Sequence, residues 1–206
     1  MKSLRLMLAL VLVTGGTVAL AQSNEHKHGA SDQQAPAAKP APTPAQQSFA
    51  ILKGLAGSWD GVVTMTPPMD GAGDAHLDVS LRVTSRGNAI VHEMHESGKP
   101  DDPTKYDHPL TMLYLDGGQL MLTHYCDAGN RPRMTARPSA DGKTVEFDFV
   151  DVAGPVKYGN MYHAVFTTID ENHHVEEWTF KLPGDKLMKA RMELQRKSVA
   201  GAASGK

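Results

Sequence analysis

The sequence predicts an all-β protein: a single antiparallel up-and-down barrel of about 9–10 strands, with a short N-terminal helix plugging one end. Three observations lead there. Apolar and polar residues alternate with period two beyond Gly57, most clearly where Leu77, Val79, Leu81 and Val83 interleave with Asp78, Ser80 and Arg82. Turn signals separate the alternating runs at regular intervals, among them Arg86-Gly87-Asn88, Asp116-Gly117-Gly118 and Pro183-Gly184-Asp185. Helix grammar occurs once, and no dinucleotide-binding glycine loop, P-loop or HExxH motif is present.

The chain opens like a secretory signal. Lys2 and Arg5 form a basic start, Leu6–Val13 an apolar run, and Ala19-Leu20-Ala21 a small-x-small cleavage site. Residues 1–21 are expected to be removed from an exported protein, periplasmic or secreted. The run is short and interrupted by Gly15 and Gly16, and no Cys follows the cleavage site, so no stable membrane anchor is expected. Without Lys2 and Arg5, the 21 Lys+Arg fall to 19 against 23 Asp+Glu, a net charge of −4. That balance supplies no electrostatic reason to bind nucleic acid or an anionic membrane.

Residues 22–43 are rich in Ala, Pro, Gln and Ser and cannot bury enough apolar surface to offset their ordering entropy, so they read as a disordered tether. His26 and His28 within it read as part of a solvated tail rather than a metal site. At Thr43-Pro44-Ala45-Gln46 the grammar changes. Thr43 caps, Pro44 suits the first helical position, and Gln46 completes a capping box. Phe49 and Leu52 then share one face, and Gly54 offers a stop, which gives a helix over Pro44–Lys53.

Strands are expected at Trp59–Thr66, Leu77–Val83, Ala89–Glu96, Leu110–Leu115 and Gln119–Cys126. Five more follow at Arg131–Arg137, Thr144–Val150, Met161–Ile169, Val175–Leu182 and Leu187–Arg196. The barrel domain thus spans residues 44–198, and the small polar residues 199–206 form a flexible tail. There is a single cysteine, Cys126, so an exported fold of this kind depends on its core and not on an internal disulfide.

A capped helical turn leading into Gly57-Ser58-Trp59, followed by a meander, resembles the calycin superfamily of lipocalins, fatty-acid-binding proteins and nitrobindin-like haem barrels. The resemblance covers Phe49–Lys197. The run His124-Tyr125-Cys126, Gly129-Asn130 and Pro132-Arg133-Met134 is similar to uncharacterised exported bacterial proteins of lipocalin-like type, and brings no activity with it. In lipocalins the Trp of Gly-x-Trp lies under a basic residue of the last strand, which the resemblance assigns here to Trp59 and Arg196. Nitrobindin-like barrels hold haem through a His near the final strand; Leu187–Arg196 contains none, and Val62-Val63-Thr64-Met65 departs from their pattern after Gly61. No cofactor is therefore expected.

Chemically capable side chains are densest in Gln119–Met134. His124, Tyr125, Cys126, Asn130 and Arg133, joined by His163 and Glu177, make the candidate ligand-binding site. Parity puts His124 and Cys126 on the face of Leu120 and Leu122, and His92 and Met94 on the face of Ile90. These four form a soft N/S set that suits copper or zinc, or else are histidines satisfied within a barrel mouth. Cys126 beside His124 is either a nucleophile with its base or a buried inert thiol. Arg133 either clamps a carboxylate in the mouth or pairs with Glu176, Glu177 or Asp148. Tyr125 has the opposite parity to His124, so both face one cavity only if the strand bulges there. Three functions are consistent with this: a barrel holding a small, mostly apolar ligand with a polar end, an enzyme using the His124/Cys126/Arg133 neighbourhood, or a haem or metal carrier.

Overall fold

The computed structural model describes residues 40–68, 75–100, 102 and 104–198. The signal segment, most of the tether and the tail fall outside the described residues. Helix α1 spans Pro44–Gly54. Its capping box is in place: Thr43 N–H donates to Gln46 Oε1 at 2.8 Å and Gln46 N–H to Thr43 Oγ1 at 3.3 Å. Phe49 and Leu52 are buried on its inner face, as their spacing implies.

The strands are β1 (Gly57–Thr66), β2 (Ala75–Thr84), β3 (Ala89–Glu96), β4 (Leu110–Asp116) and β5 (Gln119–Tyr125). They continue as β6 (Arg131–Ala136), β7 (Thr144–Ala153), β8 (Asn160–Asp170), β9 (His173–Lys181) and β10 (Leu187–Arg196). All ten close into one barrel in which each strand pairs antiparallel with its chain neighbours and β1 pairs with β10. Closure removes every sheet edge, so no backbone ladder is left open for aggregation.

The alternating connections distinguish two ends. One carries the start of β1, the β4–β5 turn and the β8–β9 turn. Helix α1 feeds β1 there and packs on β4, β5 and β7. Phe49, Leu52 and Leu55 join Leu113, Leu120 and Val145 in the core, so the helix covers that end. Trp59 lies beneath it with no exposed surface, and its Nε1 donates to Leu55 O at 2.9 Å. The register sets Trp59 opposite Arg196, whose guanidinium carbon sits 4.1 Å from the indole centroid. Arg196 Nη1 also donates to Ala56 O at 2.8 Å. Gly57 makes room for this arm: at φ +149° an added Cβ would stand 2.4 Å from Arg196 Nη1.

The other end, with the start of β2 and the ends of β3, β5 and β9, has no helix over it among the described residues. The bulge that would bring Tyr125 and His124 to one cavity is absent from β5. A register shift does fall opposite Arg133 and Met134, where β7 carries an extra residue, Val150, between Phe149 and Asp151, and the β8–β9 pair holds two more.

Candidate functional site

Three adjacent strands place polar side chains side by side on the inner wall. His92 on β3 is registered with Thr111 on β4, and Thr111 with His124 on β5. All three are buried. Across the interior, β9 presents His174, Glu176 and Trp178 at i, i+2 spacing on its inward face.

Glu176 has no exposed surface, and a buried carboxylate survives only if its oxygens are satisfied. Its two oxygens lie 3.2 and 3.0 Å from His92 Nε2, which reaches over from the far wall. His174 Nε2 is 3.0 Å from Oε1, and Trp178 Nε1 donates to Oε2 at 2.9 Å. Burial raises the carboxyl pKa, but the charge interaction with His92, backed by the hydrogen bonds and charge of His174, outweighs it and holds the group well below the usual carboxylate range. With each Nε2 committed to Glu176, the Nδ1 atoms of His92 and His174 are buried without a hydrogen-bond partner among the described residues. Trp178 faces the His92–His124 wall, its ring centroid 5.6 Å from that of His92 and 5.5 Å from that of His124.

His124 differs from the other two. Its Nδ1 is 2.8 Å from Thr111 Oγ1, and the other ring nitrogen has no hydrogen bond to a described residue. Burial, and secondarily the influence of His92, push its pKa down to about 4, so the ring is neutral at physiological pH. The unfolded chain takes up a proton on this ring near pH 6.5, whereas the folded chain does so only near pH 4. Above pH 6.5 the group leaves stability untouched, and as pH falls through this window it removes up to about 3 kcal/mol. Melting curves of the wild type and His124→Gln should therefore run parallel above this window and converge or cross within it as the wild type loses stability faster. Parallel curves throughout would show that His124 titrates as an ordinary surface histidine.

At the end away from the helix, His124 forms the inner limit of a cavity of about 450 Å³. Its walls are largely apolar: Leu77 from β2, Met94 from β3, Met161 from β8 and Phe180 from β9. Cys126 flanks His124 just beyond the end of β5, and Glu96, Asp107 and Asp127 stand at the rim. A larger depression beside Asp60, His76 and Arg196 lies on the outer wall and is lined by polar and charged groups, so it lacks the apolar surface that drives ligand burial.

Of the residues singled out in the sequence, His124 and Cys126 meet at this cavity. Cys126 is a free, half-buried thiol, and burial pushes its pKa up, opposite to what a nucleophile requires. Asn130 is buried but belongs to a strut: its Nδ2 donates to Pro155 O at 2.9 Å and Gly159 O at 2.8 Å, tying the β5–β6 turn to the β7–β8 loop. Tyr125 points away from the interior and is about half exposed. Arg133 lies on the outer wall, where its Nε donates to Asp151 Oδ1 at 2.8 Å and its Nη2 makes a second bond to the same carboxylate. Its partner is thus Asp151, not Glu176, Glu177 or Asp148.

His163 also faces outward, with Nε2 2.8 Å from Glu146 Oε1 and 3.9 Å from Asp148 Oδ1. Among the described residues, Glu146, Asp148 and His163 are the one group of three whose ligand atoms gather within 4.8 Å, and Arg137 already pairs with both carboxylates. Glu177 is on the outer wall too, 3.3 Å from Arg191 Nη1. Its neighbour Glu176 is the interior residue. The signal that marks it in the sequence is parity: Glu176 shares the face of Trp178 and Phe180, and a charge on an apolar strand face must find partners inside.

No protein-family model and no curated protein sequence matches this chain. Solved structures do. Rv2717c from M. tuberculosis superposes with a TM-score of 0.54 at 13% identity, covering 73% of this chain and 98% of that one. A protein of unknown function from the DUF3598 family of Nostoc punctiforme superposes with a TM-score of 0.47 at 8% identity, covering 71% of this chain and 49% of that one. At such identities the first likeness is one of barrel fold alone.

Proposed function

We propose that this protein is an exported carrier: a lipocalin-like barrel that holds one small, mostly apolar molecule with a polar end in the cavity bounded by His124. The observation that carries this reading is the pairing of an apolar-walled pocket with a neutral, buried imidazole that has one nitrogen uncommitted. Export is supported by the signal-like character of Met1–Ala21, and the lipocalin-like assignment by Gly57-x-Trp59 beneath Arg196. The enzymatic reading has less support, because Arg133 lies outside the barrel and the Cys126 thiol is shifted away from thiolate. The soft-metal reading has less support too: His92 Nε2 is occupied by Glu176, and His92, His124 and Cys126 do not gather their ligand atoms within 4.8 Å.

Native mass spectrometry of the protein purified from its host without detergent tests this. The expected spectrum contains an organic adduct that is lost in Met94→Trp, which fills the cavity with an indole. A porphyrin or metal adduct, or an organic adduct retained in full by Met94→Trp, would overturn the reading.

A further inference from the structure

We propose that the polar end of the ligand is cationic, so that the cavity selects a small amphiphilic amine over a fatty acid; this rests on the carrier reading above. The charges around the cavity are one-sided. Glu96, Asp107 and Asp127 line it, and no Lys or Arg does among the described residues. Lys99 leans on Glu96 at 3.7 Å from outside, with both side chains about half exposed, which leaves Asp107 and Asp127 as the effective pair.

These two carboxyls are close enough to act on each other. Asp127 is exposed at the surface, and it accepts the backbone N–H of His108 at 3.0 Å. Burial, followed by the charge of Asp107 and a hydrogen bond with it, pushes the Asp127 pKa up, and His108 offsets only part of this. Like charges at the rim raise the energy of the empty protein, and a cation placed between them lowers it. An ammonium group held there would extend its hydrocarbon inward along Leu77, Met94, Met161 and Phe180. A carboxylate in the same position would face Asp107 and Asp127, with no Lys or Arg in the lining among the described residues to pair with.

The inner end is compatible with this occupant. His124 is 1% exposed and neutral, so it does not repel an ammonium, and its unbonded nitrogen offers a second polar contact to a substituent on the chain. The net charge of −4 beyond residue 21 draws cations toward the protein generally.

Titration calorimetry at neutral pH and low salt, with octylammonium, octanoate and 1-octanol as probes, tests the proposal. These share one chain and differ only in the head group. Octylammonium is expected to bind about ten-fold more tightly than octanoate, and its advantage over 1-octanol should disappear in D107N/D127N and shrink with added sodium chloride. The single variant Asp107→Asn changes an exposed side chain, keeps the fold, and should show part of the same loss. Octanoate binding as tightly as the amine would overturn the cationic preference while leaving the carrier reading intact. Amine binding undiminished in D107N/D127N would place the amine elsewhere and overturn the proposal. Failure of all three probes to bind would contradict the carrier reading as well.

Discussion

Glu176→Ala is expected to destabilise the barrel by about 3–5 kcal/mol, among the largest effects of any single side chain in this protein. The change removes the one acceptor on which His92 Nε2, His174 Nε2 and Trp178 Nε1 converge, and all of these donors are buried. Each is then left without a partner where water does not reach, at a cost of about 1–3 kcal/mol apiece before relaxation. Glu176→Gln keeps the shape and one acceptor oxygen but turns an amide N–H₂ toward the remaining donors, so its loss should be smaller than that of the alanine variant. Urea midpoints for the three proteins measure this order. A loss below about 1 kcal/mol for Glu176→Ala would mean that the interior donors find other partners. Because the folded-state pKa of Glu176 is depressed, its contribution is complete above the ordinary carboxylate range and is lost only as pH falls well below it. The acid sensitivity expected at milder pH therefore belongs to His124 and not to Glu176.

Trp59→Ala should cost a similar amount, about 3–5 kcal/mol, for a different reason. The indole is entirely buried beneath α1, packs edge-on against His174 with ring centroids 4.1 Å apart, and carries Arg196 on its other side. Truncation leaves a cavity at the covered end, orphans Leu55 O, and frees the Arg196 arm that ties β10 to the helix–strand junction. Trp59→Phe keeps most of the packing and loses the N–H bond, so its denaturation midpoint should fall between those of the wild type and the alanine variant. Equal losses in the phenylalanine and alanine variants would show that the hydrogen bond to Leu55, not the packing, secures this end.

The fold was legible in the sequence because its signals are local. Period-two alternation and turn residues marked all ten strands, and the Thr43–Gln46 capping box marked the helix, each within a few residues of its observed limits. The site was legible only in part. Parity puts His92 and His124 on inward faces and, applied along β9, does the same for His174, Glu176 and Trp178, yet it does not say which walls lie across the interior from each other. The contact between His92 and Glu176, 84 residues apart, depends on closure of the whole ring. Density of reactive side chains along Gln119–Met134 drew attention to Tyr125 and Arg133, but a strand shows its neighbours to opposite faces, and the irregularity at Arg133/Met134 leaves Arg133 beside Asp151 outside. The choice between Glu176 and Glu177 rests on a single residue of register, and the apolar partners Trp178 and Phe180 decide it.

Methyl resonances of the methionines offer the most direct test of the central claim that the cavity bounded by His124 is where this barrel holds an apolar ligand. Met94 and Met161 line that cavity, whereas Met134 and Met192 are buried in the core away from it and serve as internal references. On titration with 1-octanol, the Met94 and Met161 methyls and the His124 ring are predicted to shift together with one saturation curve, while Met134 and Met192 stay still. Shifts confined to residues around the stacked Phe149 and Tyr162, with Met94 and Met161 unmoved, would contradict the account.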